Sequence, residues 1–230
     1  MTMPFYVAPE QLMKDRADFA RKGIARGRAL TALSISDGIV ICAENRSNTL
    51  RKVSEIYDRI AFAGVGRYNE FDQLRIAGVR HADLKGYTYS REDVDARSLA
   101  NQYAQVLGQT FTHEMKPMEV EILVAEVASD PGGDQMFHVL YDGTVNDESG
   151  YTVLGGEADS IAERLGQTYD GNWGVGEAVT AAAAALAGEE RALEADDLEV
   201  AILVREIGRR AFQRIEGDEL AELMAGGTSD

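Results

Sequence analysis

The sequence predicts an α+β fold, a four-layer αββα sandwich in which two antiparallel sheets stack face to face and helix pairs lie outside. Three observations carry this expectation. Apolar runs of strand length come in hairpin pairs, most plainly Leu30–Ile35 and Ile39–Ala43 joined by Ser36-Asp37-Gly38. Helical periodicities also come in consecutive pairs, between the groups of strands. No Pro/Gly/Ser-rich linker or repeat divides the 230 residues, so a single domain is expected.

Taken in order, residues 1–8 carry no periodicity and are expected to be a mobile segment. Pro9 suits a first helical turn and Glu10 its positive end. Met13, Ala17, Ala20 and Ile24 then mark one face of a helix over residues 9–26, too poor in large apolar groups to fill a core. After the first hairpin, Val53, Ile56, Ile60, Phe62 and Val65 build a second, with Lys52 between the two. Gly64-Val65-Gly66 leads into a helix expected from about Arg67 to His81. The longest helix is expected over Asp93–Met115, where Leu99, Tyr103, Leu107, Phe111 and Met115 recur every four residues and Pro117 prevents continuation. A strand meander follows, with strands at Val120–Val127, Gln135–Tyr141, Thr144–Asp147 and Tyr151–Leu154. Helices over Glu157–Tyr169 and Val175–Ala187 precede a last long strand, Leu198–Arg205. The domain closes near residue 217, and the acidic stretch 218–230 reads as a frayed helix or a disordered tail.

Composition excludes several functions. The net charge of −16 argues against nucleic acid, whose phosphates need clustered Lys and Arg. The basic stretch Lys14–Arg28 is interrupted by Asp15 and Asp18 and reads as a solvated helix face. The longest apolar run, Ala178–Ala187, is too short for a bilayer, and no signal-peptide profile precedes the helix. A protein of the cytoplasm, without membrane partners, is expected. Cys42 is the only cysteine and reads as a small core residue.

Chemistry is harder to find. His81, His113 and His138 lie far from metal-ligand spacing, and no G-x-S-x-G elbow exists. Gly64-Val65-Gly66 lacks the third glycine of a dinucleotide loop, Asn69 holding its place, so a tight turn is the better reading. An αββα sandwich can instead host an N-terminal nucleophile, a Thr, Ser or Cys freed at the head of the first strand whose own α-amino group is the base. Here Arg28 holds that place. Thr31 lies inside the strand, and Thr2 is more than twenty residues away on a loose tail, without the positioning that the rate requires. A self-contained N-terminal-nucleophile amidohydrolase is the enzyme alternative, and a stand-alone dinucleotide-binding domain the binding alternative.

The stretches PEQLMKDRADFARKGIARGRAL, DGIVICAENR, KVSEIYDRIAFAGVGRYNEF and KPMEVEILVAEV resemble the α-type subunits of the 20S proteasome, most of all the actinobacterial form. Asp18-Phe19-Ala20-Arg21 is similar to the Glu-Tyr-Ala segment of the family's N-terminal helix, and Arg26-Gly27 to its Arg-Gly before the first strand. The likeness covers nearly the whole chain and implies the N-terminal-nucleophile hydrolase fold.

The resemblance implies a non-catalytic subunit with no cofactor and no metal. Catalytic β subunits carry threonine where Arg28 stands, after a cleavable glycine that is kept here as Gly27. Glu44 and Lys52 fall where β subunits place the acid and lysine that support the threonine. In α subunits the lysine lines a pocket that receives the C-terminal tail of a ring ATPase, pairing with its carboxylate. By the same likeness Gly27 and Gly66 line that pocket, and Arg67 stands ready as a second cation. Implied partners are other α subunits in a heptameric ring, β subunits, a ring ATPase or other activator, and unfolded proteins in transit. Residues 1–8 would form the gate, with Met3, Pro4, Phe5, Tyr6 and Val7 over the pore. The Tyr-Asp-Arg that archaeal and eukaryotic α subunits carry near the N-terminus is missing; Tyr57-Asp58-Arg59 is a strand-turn coincidence.

Overall fold

The architecture follows from strands that are apolar on both faces. A computed structural model describes residues 8–47, 49–206 and 208–226. It contains strands β1 (Leu30–Ile35), β2 (Gly38–Glu44), β3 (Val53–Tyr57), β4 (Ile60–Gly66), β5 (Val120–Glu126), β6 (Gln135–Val139), β7 (Val145–Glu148), β8 (Tyr151–Leu154), β9 (Leu198–Val204) and β10 (Phe212–Ile215). The helices are α1 (Pro9–Ile24), α2 (Tyr68–Thr88), α3 (Ala96–His113), α4 (Ala158–Gly166), α5 (Val175–Ala187) and α6 (Asp218–Gly226).

Two five-stranded antiparallel sheets form, ordered β10-β9-β2-β1-β8 and β3-β4-β5-β6-β7. Successive side chains of a strand point to opposite faces, so each run feeds two cores. In β1, Leu30 and Ala32 face the space between the sheets, whereas Leu33 and Ile35 face α4 and α5. In β5, Leu123 and Ala125 face between the sheets while Ile122 and Val124 meet α2 and α3. The result is the four-layer αββα sandwich, an α+β arrangement.

Several boundaries differ from the sequence expectation. Helix α2 runs seven residues past His81, which therefore lies within the helix rather than at its end. The extension carries exposed Leu84 and Tyr87, and Gly86 packs against the Tyr57 hydroxyl. At 21 residues α2 exceeds α3, which has 18 because Asp95 caps it by accepting from the Ser98 N–H at 2.7 Å. Strand β8 does not continue the meander. It leaves β7 through Gly150 (φ +75) and pairs with β1 in the other sheet, Leu30 opposite Leu154. Helix α6 packs Leu220, 1% exposed, with Leu223 and Met224 into the core shared with α5.

Helix α1 closes one end of the sandwich. Ala20 and Ile24 insert between the sheets, with Ala17 packed beside them, so its thin apolar face meets a cleft rather than a broad surface. The opposite end is tied by a buried ion pair. Arg205 holds Asp134 through two bonds of 2.7 and 2.9 Å and also donates to the carbonyls of Ile35, Ser36 and Ala128. Asp134 accepts further bonds from the Ser34 hydroxyl and the Ala128 N–H. Cys42 is fully buried in β2, and burial pushes its thiol up to about 12. Among the described residues, no helix is long and apolar enough to cross a membrane.

Candidate functional site

The site lies where α1 delivers the chain to β1. After Ile24 the helix ends in a turn, the Gly27 N–H donating to the Ile24 carbonyl at 2.8 Å. Gly27 then passes against Gly66 at the end of β4, and an added Cβ on Gly27 would stand 3.1 Å from the Gly66 nitrogen. Gly66 has φ +100, and a Cβ there would overlap the Glu119 carbonyl, so a side chain is excluded on both counts. Two glycines thus let the backbones of Gly27, Gly66 and Glu119 meet in a close-packed seam.

Arg28 follows and stands just before β1. Its guanidinium pairs with the buried carboxylate of Glu44, which also binds Arg191 at 3.0 Å. Its carbonyl accepts a 2.6 Å hydrogen bond from Lys52 Nζ. Thr31 is fully buried, with its hydroxyl 3.4 Å from the Cys42 carbonyl. The head of β1 therefore carries a guanidinium committed to a salt bridge, where a nucleophile of this fold would present a hydroxyl.

Lys52 is fixed at every polar atom. Its N–H donates to Glu199 Oε2 at 2.8 Å, its carbonyl accepts from the Gly64 N–H at 3.0 Å, and its ammonium holds the Arg28 carbonyl. Half-burial lowers its pKa to about 8. The Glu199 charge opposes that shift, and Arg28 adds to it. The ammonium keeps two further donors.

Lys52 is thus bonded to Arg28 and Gly64, which flank the paired glycines Gly27 and Gly66 along the chain. Arg67 differs: its guanidinium lies 3.2 Å from Glu119 and 3.7 Å from Glu70, and Lys116 binds both of those carboxylates. It is occupied within its own subunit. The expected gate residues Met3, Pro4, Phe5, Tyr6 and Val7 lie outside the described residues. Sequence reasoning missed Glu199, 3% exposed in β9; a lone carboxylate inside the apolar run LEVAILV was the signal. Among the described residues, no group of three or more His, Cys, Asp or Glu is arranged to hold a metal ion.

The two stacked sheets and flanking helices define an α+β sandwich of the N-terminal-nucleophile-hydrolase type, with Arg28 standing just before its first strand. Residues 24–203 match the proteasome subunit family. The chain is 62% identical over 224 residues to the proteasome subunit alpha of Acidimicrobium ferrooxidans, covering 97% of each chain. It is 56% identical to that of Acidothermus cellulolyticus, over 97% of this chain and 98% of the relative. It is 54% identical to that of Xylanimonas cellulosilytica, over 96% and 95%. The chain belongs to the proteasome subunit family, and the likeness to actinobacterial α-type subunits read from its sequence holds.

Proposed function

We propose that the chain is the non-catalytic α subunit of a 20S proteasome core particle in the cytoplasm. Seven copies form an outer ring that seats a ring of β subunits, on which the threonine active sites lie. The ring admits unfolded proteins through a gate made of residues 1–8 and docks the C-terminal tails of a ring ATPase. The observation that carries this reading is Arg28 at the head of β1, reached through α1 and bound to Glu44. An N-terminal nucleophile needs a free α-amino group there, and a guanidinium held by a carboxylate supplies neither amine nor hydroxyl. The relatives named proteasome subunit alpha support the same assignment.

The groups around Lys52 support the docking part of this reading. A tail carboxylate pairs with the two free donors of the ammonium, while the seam at Gly27 and Gly66 receives the tail's backbone. Arg67 contributes as a second cation only by exchanging Glu70 or Glu119 for the tail. One partly exposed ion pair gives about 0–1 kcal/mol, so affinity comes from several tails engaging several pockets of one ring at high effective concentration. The test is Lys52→Ala in assembled particles. The ratio of unfolded-protein degradation with the ATPase to that without it should fall at least severalfold. An unchanged ratio would remove the docking role.

A further inference from the structure

We propose that Glu199 is a positioning residue for the docking lysine, a buried carboxylate that reaches from β9 to the start of β3 and fixes where Lys52 is presented. The proposal rests on the docking role of Lys52 given above. Glu199 is on a strand of one sheet, Val53 begins a strand of the other, and Lys52 immediately precedes it. Its Oε2 accepts the Lys52 N–H at 2.8 Å and Asn45 Nδ2 at 2.8 Å; its Oε1 accepts the Val53 N–H at 3.2 Å and Arg214 Nη1 at 2.9 Å. Four donors converge on one side chain that is 3% exposed.

The arrangement does more than join two sheets. Asn45 also donates to the Leu50 carbonyl, at 2.8 Å, so Leu50 is tied through Asn45 to the same carboxylate. Arg214 also donates to the Val53 carbonyl, at 2.5 Å, clamping β3 from the other side. With the Lys52 carbonyl held by Gly64, both backbone groups of the lysine are fixed before any tail arrives. A preorganised site loses less conformational freedom on binding. The negative charge also favours the ammonium form that a carboxylate tail needs, against the cost of half-burial.

A simple sheet-to-sheet tie would affect stability alone, so the test reads Lys52 itself. Assembled particles are trace-labelled with acetic anhydride across pH 6–10, and the acylation of Lys52 is read by mass spectrometry. Glu199→Gln should move the labelling midpoint below that of the wild-type particle and, near neutral pH, cut the ammonium fraction by about threefold. The degradation ratio should fall with it. The ratio is measured with a proteasomal ring ATPase bearing intact C-terminal tails, and with the same ATPase lacking its last three residues. Glu199→Asp keeps the charge for Arg214 but withdraws the carboxylate by one methylene. It should lose the tail-dependent part of the ratio with a smaller shift in midpoint, and it serves as the test variant if Glu199→Gln does not assemble. A wild-type midpoint in Glu199→Gln overturns the hold on Lys52. A wild-type ratio in either Glu199 variant, where Lys52→Ala loses it, overturns the positioning role and leaves docking standing. A wild-type ratio in Lys52→Ala overturns docking itself, and the functional half of this proposal with it.

Discussion

Raising the pH through 8 should uncouple the ring from its ATPase while making the folded chain more stable at Lys52, two effects of opposite sign from one side chain. The lysine falls from an ordinary value of 10.5 to about 8, through burial first, with Glu199 opposing and Arg28 reinforcing. Between those values the unfolded chain binds a proton that the folded chain does not, so this residue's contribution to stability rises with pH across that window. At about 1.36 kcal/mol per pH unit the full difference is about 3 kcal/mol. Solvent screening of a half-buried group reduces the expected effect to on the order of 2 kcal/mol. The assay is urea denaturation of the full chain and of Lys52→Met at a series of pH values. The stability of wild type minus variant should grow by that amount from pH 7 to 10.5. Over the lower part of the range, ATPase stimulation of the wild-type particle, normalised to peptide hydrolysis at the same pH, should drop by about half near pH 8. A flat stability difference would refute the burial of Lys52 and the reasoning built on it.

Three further outcomes can be measured. Gly66→Ala should cost at least about 1–3 kcal/mol in denaturant midpoint experiments, because φ is +100 and the Cβ meets the Glu119 carbonyl; a neutral result would mean the seam is slack. Asp134→Asn leaves Arg205 buried without its counter-charge and should destabilise the chain by about 3–5 kcal/mol; a loss under about 1 kcal/mol would show that the far end of the sandwich is not tied by this pair. Deleting residues 1–8 should speed hydrolysis of an unfolded protein by the α/β assembly and leave very short peptides little changed. If both substrates keep their rates, the gate is elsewhere.

The layers were legible because strand runs buried on both faces and the turn Asp37-Gly38 are local signals. The start of β1 was legible too: Arg28 stands just before the strand and Thr31 inside it, as the apolar run from Leu30 implied. What sequence could not give were choices made between distant segments. Nothing local tells Tyr151–Leu154 to leave β7 for β1; the pairing of Leu30 with Leu154 decides it. The thin apolar face of α1 reads as weak until the cleft it plugs is seen. The length of α2 was hidden because its last turns expose Leu84 and Tyr87 and so break the amphipathic pattern. Lys52 stood out only through the family likeness, and its grip on the Arg28 carbonyl required the fold. Glu199 and Arg214 are fifteen residues apart along the chain, and their common target at Val53 lies more than 140 residues earlier.

The central claim, that this chain builds the ring and leaves the chemistry to its partners, is tested most directly by co-expression with β subunits, followed by native mass and a peptidase assay. The account predicts a large two-component particle whose activity disappears when only the β threonine is replaced. A monomer or dimer of this chain that hydrolyses amides unaided would contradict it.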